Sequence, residues 1–168
     1  AFAACLKAPF ATLGVVTTGA HLTGIRFLSP TVPAMAPARD SLAFLVCVQI
    51  QRYLDDPGRP FELPLRLAGT HHQLAVWEAM QRIPAGATRT YGDVAAELKS
   101  SARAVGGACG ANPIPLVVPC HRIVGASGLG GFMGAAGEGF ERSIKRWLLE
   151  PARDRGDAPG RKLVPRRR

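Results

Sequence analysis

The chain has 168 residues, is 47% hydrophobic and carries a formal net charge of +9, which gives apolar material for one core or two small ones and excludes a disordered polymer. No uncharged apolar stretch approaches the roughly 20 residues that span a bilayer, and no basic segment leads into an apolar one at the N-terminus, so a soluble cytoplasmic monomer without membrane contact is expected. The charge is uneven: residues 151–168 hold seven basic against two acidic residues and the remainder 14 against 10, so the basicity points only weakly to a polyanionic partner.

In chain order, residues 9–28 read as a hairpin, with apolar positions from Pro9 to Val16, a turn at Thr17–Ala20 and alternation from Leu22 to Leu28. A Pro-rich stretch follows from Pro30 to Pro37, after which Asp40-Ser41 caps a helix whose apolar residues Leu42, Leu45, Val46, Ile50, Tyr53 and Leu54 recur at helical spacing as far as Pro57-Gly58. Phe61, Leu63, Leu65 and Leu67 alternate like a strand. Residues 1–68 are therefore expected to form a small α+β unit.

Beyond Gly69 the pattern becomes helices and loops. Thr70 caps a helix carrying Leu74, Val76, Trp77, Met80 and Ile83 and stopped by Pro84 and Gly86; a short helix runs from Tyr91 or Gly92 to Leu98; a third starts after Ser101 and continues to Gly110. The last two, joined by a tight polar turn, look like a helix-turn-helix. An apolar run from Ile114 to Val118, the group Pro119-Cys120-His121-Arg122, a glycine-rich loop and a final helix from Glu138 to Leu149 complete residues 69–150. Residues 151–168 are expected to be a disordered basic tail.

The four cysteines Cys5, Cys47, Cys109 and Cys120 are scattered, with no CxxC pair, which argues against zinc ribbons and disulfide frameworks and for reduced thiols. His71-His72 is no metal pair either, because adjacent helical residues point in different directions. Cys47 and Cys109, among apolar or small residues, read as small hydrophobes. Cys120 differs. A thiol attacks as its thiolate, and an adjacent imidazole such as that of His121 is one means of producing it. Taken alone, the Cys-His pair reads more readily as a buried thiol beside a surface histidine. The helix after Ser101 is rich in Ala and Gly, from Ala102 through Gly106 and Gly107 to Gly110, a smooth surface that suits either close approach to a DNA groove or tight packing inside the protein.

Thr90-Tyr91-Gly92, Arg103-Ala104-Val105-Gly106, Asn112-Pro113, Pro119-Cys120-His121-Arg122 and the Gly128–Gly134 loop follow one another in order. This arrangement resembles the O6-alkylguanine-DNA alkyltransferases, the methylated-DNA–protein-cysteine methyltransferase family, specifically over Gln73–Leu149 and by element order over residues 1–68. The resemblance implies an α+β fold with a ribonuclease-H-like N-terminal subdomain (1–68) and a mainly helical, winged-helix-like DNA-binding and alkyl-acceptor domain (69–150). It implies single, irreversible transfer of an alkyl group from O6-alkylguanine, and from O4-alkylthymine, in double-stranded DNA, with no cofactor and no metal. Cys120 would be the acceptor, His121 its base acting through a water, and Asn112 the residue holding the preceding turn. Glu150 would stand in for the acid that orients the histidine. Arg103 would fill the gap left by an extruded nucleotide and Tyr91 press on its phosphate, with Ala102, Gly106 and Arg122 also against DNA. Val118, Pro119, Phe132, Met133 and Gly134 would wall the base pocket.

The sequence departs from the family pattern in places. Glu150 lies about two residues early, a rotation of roughly 200° on a helix. His72 stands where Phe is usual, the turn between Leu98 and Arg103 is short, and Phe132 and Met133 replace the common Tyr and Ser. Two other functions share some of these features: a lesion-binding protein on the same scaffold that transfers nothing, and a Cys-His hydrolase, for which no oxyanion site is evident.

Overall fold

A computed structural model of the chain describes residues 1–135, 137 and 139–150. The expectations for Glu138 and for residues 151–168 lie outside them. The architecture is mixed α and β, and the chain divides into two compact units between Arg66 and Leu67.

In the first unit, strands β1 (Ala4–Lys7), β2 (Thr12–Thr18) and β3 (His21–Leu28) form an antiparallel sheet in the order β1-β2-β3. The hairpin is the one that the alternation predicts: Thr18 pairs with His21 across Gly19-Ala20, and a bulge between Val16 and Thr17 adjusts the register. β1 is an addition, since four residues carry too little pattern to declare a strand. Helix α1 (Leu42–Asp55) begins where expected, with the Ser41 hydroxyl accepting from the Phe44 amide. It buries Val46, Ile50 and Tyr53 in the core that holds Leu13, Val15 and Ile25. Each such side chain removed from water contributes about 1.5–3 kcal/mol.

The predicted strand over Phe61–Leu67 does not form. Burial does alternate along it, but its pairing is limited to a bridge between Leu22 and Leu65, with the Leu22 amide donating to Pro64 at 2.8 Å and the Arg66 amide to Leu22 at 3.0 Å. Pro60 and Pro64 have no amide hydrogen to give to a ladder. The buried Gln49 of α1 takes over: its amide oxygen accepts from the Glu62 amide at 2.8 Å and its nitrogen donates to the Glu62 carbonyl at 3.2 Å.

The second unit contains α2 (His71–Gln81), β4 (Arg89–Thr90), α3 (Tyr91–Leu98), α4 (Ala102–Gly110), a 3-10 turn over Cys120–Arg122, β5 (Ile123–Val124) and α5 (Phe140–Leu149). Thr70 with Gln73 and Thr90 with Asp93 close reciprocal capping boxes at the starts of α2 and α3, and Ser101 caps α4. α3 ends at Lys99 in a left-handed conformation (φ 55°), which turns the chain into α4 within three residues. The His72 ring meets the Ser100 hydroxyl at 2.8 Å, bracing that turn. Trp77, 1% exposed, donates its indole N–H to the Ala108 carbonyl at 2.8 Å and so fastens α2 to α4.

Two features of this unit exceed local sequence. β4 and β5 pair in parallel, Arg89 with Ile123 and Thr90 with Val124, over strands too short to show periodicity. Ile114–Val118 is buried throughout yet is not a strand; Asn112 organises it, donating its side-chain amide to the Val118 carbonyl at 2.8 Å and accepting from the Ile114 amide at 3.0 Å. Among the described residues no helix is long and apolar enough to cross a membrane.

Candidate active site

The β4–β5 pairing fixes where the chemistry collects, because Tyr91 follows β4 immediately and Cys120–Arg122 precedes β5 immediately. Cys120, 2% exposed, opens on a cavity of about 390 Å³ lined also by Tyr91, Arg103, Cys109, Phe132 and Met133, with Ala102, Gly106 and Gly134 among the remaining lining residues. The four cysteines are all free.

Burial pushes the Cys120 thiol up to about 11. A hydrogen bond from the Asn112 side chain, the charge of Lys145 and a backbone amide act the other way, by favouring the thiolate. The resting sulfur is therefore a protonated thiol near neutrality, to be ionised when its proton is taken. His121 stands next to it in the same 3-10 turn, 1% exposed.

Lys145, absent from the expected site, is wholly buried on α5. Its Nζ donates to the Ile123 carbonyl at 2.6 Å and the Gly131 carbonyl at 2.8 Å, reaches the Tyr91 hydroxyl at 3.4 Å, and lies 5.6 Å from the centre of the Tyr91 ring. Burial lowers its pKa to about 8, against the upward pull of Cys120 and Cys109. One side chain thus ties β5 to the glycine-rich loop and puts a cation near the Cys120 sulfur. Its only signal in the sequence is a lysine on the face of α5 that also buries Ile144 and Leu148.

Tyr91 is half-buried and donates its hydroxyl to the Gly131 carbonyl at 3.3 Å; burial first, then Cys109 and Cys120, raise its pKa to about 12. The loop passes so close that a Cβ at Gly130, whose φ is +77°, would sit 2.8 Å from the tyrosine ring. Gly110 has a comparable reason, since a Cβ there would lie 3.2 Å from the Gly134 backbone. Gly107 has nothing within 4 Å. The smooth helix has two different faces: Gly110 packs against the 132–135 turn, and Gly107 with the exposed Arg103 leaves an open surface.

Other expected residues sit elsewhere. Val118 and Pro119 are buried and are not among the residues that line the cavity, Val118 being a backbone acceptor for Asn112 and for the Cys120 amide. Arg122 is partly buried and donates to the Ile83 carbonyl at 2.7 Å. Glu150 follows α5, exposed, with no hydrogen bond or ion pair to another described residue. Cys109, read from the sequence as a small hydrophobe, is buried as expected and also forms part of the cavity wall; burial first, and Cys120 second, push its thiol up to about 12.

Comparison with known proteins places this geometry in context. Residues 71–152 match the family described as 6-O-methylguanine DNA methyltransferase, DNA binding domain. A methylated-DNA–protein-cysteine methyltransferase of Mycobacterium bovis is 40% identical over 162 residues, 91% of this chain and 93% of that protein. The inducible methylated-DNA–protein-cysteine methyltransferase of Bacillus subtilis is 46% identical over 106 residues, 61% of this chain and 56% of that one. The crystal structure of Mycobacterium tuberculosis OGT in complex with DNA superposes with a TM-score of 0.69 at 35% identity, covering 94% of this chain and 95% of the other.

Proposed function

Because the chain belongs to the methylated-DNA–protein-cysteine methyltransferase family, we propose that it repairs DNA by moving an alkyl group from O6-alkylguanine onto Cys120, once per molecule. The observation that carries this reading is the thiol of Cys120 facing a cavity of about 390 Å³ whose rim includes Tyr91 and Arg103. In the reaction a bond forms between sulfur and the alkyl carbon as the carbon–O6 bond breaks. The electron pair leaves with O6, and the proton surrendered by the thiol ends on guanine N1. The product is a thioether, which thiol exchange does not reverse.

The roles follow the chemistry of each position. His121 receives the thiol proton through a water and Asn112 shapes the turn that presents the sulfur; the resemblance gives Glu150 the task of orienting His121, but its exposure at the end of α5 argues that the transfer proceeds without it. A stacked guanine cannot bring its alkyl carbon in line with a buried sulfur, so the nucleotide must leave the helix. Arg103, exposed on α4, fills the gap, and Tyr91 meets the rotating phosphate. Ala102 and Gly106 let the duplex come close, and the resemblance assigns Arg122 a contact with DNA. Phe132, Met133 and Gly134 bound the base from one side, with Val118 and Pro119 supporting the sulfur from behind. On this reading residues 1–68 are the ribonuclease-H-like subdomain and 69–150 the acceptor domain, with α3 and α4 as its helix-turn-helix in a winged-helix-like setting. The protein works as a cytoplasmic monomer and also accepts O4-alkylthymine. The DNA complex of the mycobacterial relative supports duplex DNA as partner.

Incubation with a duplex containing O6-methylguanine should add the mass of one methyl group to the peptide containing Cys120. Cys120→Ala should abolish the transfer while binding DNA within about threefold of the wild type, since a small buried change leaves the DNA-facing surface intact. Tight binding of the lesion with no mass gain would instead identify a lesion-binding protein that transfers nothing.

A further inference from the structure

We infer that Met133 gates the alkyl groups that Cys120 accepts, favouring methyl over groups that extend beyond the first carbon; this rests on the alkyl-transfer reading above. Phe132 and Ala135 exchange both backbone hydrogen bonds, at 2.8 and 2.9 Å, around Met133 (φ +52°) and Gly134 (φ +84°). This is a two-residue reverse turn with both central residues left-handed, a place where Asn, Asp or Gly is preferred at the first position. A methionine there works against local preference. Its thioether sulfur rests 4.0 Å from the Cys120 sulfur.

The turn has little freedom to retreat. One leg is anchored by Phe132, 3% exposed, and its Gly134 backbone lies so close to α4 that a Cβ on Gly110 would stand 3.2 Å away. Cys109 of α4, 7% exposed, forms part of the same wall. Within this turn, the part left free to move aside from the Cys120 sulfur is the Met133 side chain.

Displacement at carbon requires O6, the carbon and the Cys120 sulfur to lie on one line, so whatever else the carbon carries spreads sideways around the sulfur. A methyl group carries only hydrogens there. An ethyl or benzyl group must place a carbon substituent beside the sulfur, in the shell where the thioether already makes contact. Methionine is unbranched, with rotatable bonds that let it yield in part, so large groups are slowed rather than refused.

Single-turnover rates with duplexes bearing O6-methylguanine or O6-benzylguanine test the gate. Wild-type protein should prefer methyl. In M133A the benzyl-to-methyl rate ratio should rise about tenfold or more, the scale on which pocket carbons discriminate. M133N, whose shorter side chain suits the left-handed backbone, should raise it similarly, which separates gating from any disturbance of the turn. An unchanged ratio in both variants, or parallel changes in the two rates, overturns the inference while leaving alkyl transfer standing. A wild-type protein that accepts neither substrate would overturn both.

Discussion

At the scale of single residues the site sets two opposing demands on Cys120. Burial shields the sulfur and pushes it up to about 11, while Asn112 and Lys145 draw it back toward ionisation. At any pH well below that value the thiolate is a minority that grows with pH, so the transfer rate to O6-benzylguanine should rise between pH 6 and 8. Lys145 titrates near 8 and loses its charge above that point, removing a group that favours the thiolate, so the rise should slacken toward pH 9. Lys145→Met keeps a similar length and removes the cation. It should slow transfer about tenfold at neutral pH, the equivalent of one pKa unit on the thiol, and abolish the slackening; rapid-mixing kinetics across this range would show either effect missing. Glu150 belongs to the same scale. Exposed and without a partner among the described residues, it should tolerate Glu150→Gln with a rate within about twofold of the wild type, as surface substitutions commonly do. A hundredfold loss in the same assay would instead mean that this carboxylate reaches the histidine during the reaction.

Elements explain how these residues meet. α2, α3 and α4 start at Thr70, Thr90 and Ser101, whose hydroxyls each accept an orphan amide of the first turn, and this chemistry is local enough to be legible in the sequence. Arg103 lies one residue inside α4 and is exposed, so its contribution should be confined to substrates that need a base extracted from a duplex. Arg103→Ala should slow repair of duplex O6-methylguanine much more than reaction with free O6-benzylguanine, and equal slowing of the two would remove it from the extrusion step. The lower reach of sequence patterns appears at Phe61–Leu67. Alternation there correctly marks which side chains are half-buried, but two prolines withhold ladder donors and Gln49 satisfies the backbone of Glu62 instead. β1, β4 and β5 escaped notice for another reason: strands of two to four residues contain barely one period of any pattern.

For the whole molecule, the proposed role predicts binding of undamaged duplex that is carried by phosphates, with the exposed Arg103 of α4 contributing. Its affinity should fall steadily as potassium chloride is raised, with little dependence on sequence; fluorescence anisotropy titrations showing salt-independent binding would contradict this. The sequence by itself determined the Cys-His pair proposed as acceptor and base, the capped helices and the order of motifs that marks the family. All of these are encoded in residues close together along the chain, where hydrogen bonding and periodicity act over a few positions. Only the tertiary structure decided that Lys145 is buried against the loop, that Cys109 shares the cavity, that Val118 and Pro119 do not line it, and that Met133 meets the Cys120 sulfur. Those facts depend on a parallel pairing across more than thirty residues and on α5 folding back over the glycine-rich loop. Contacts between distant segments are selected by packing and charge burial, which leave no periodic trace in the residues that make them.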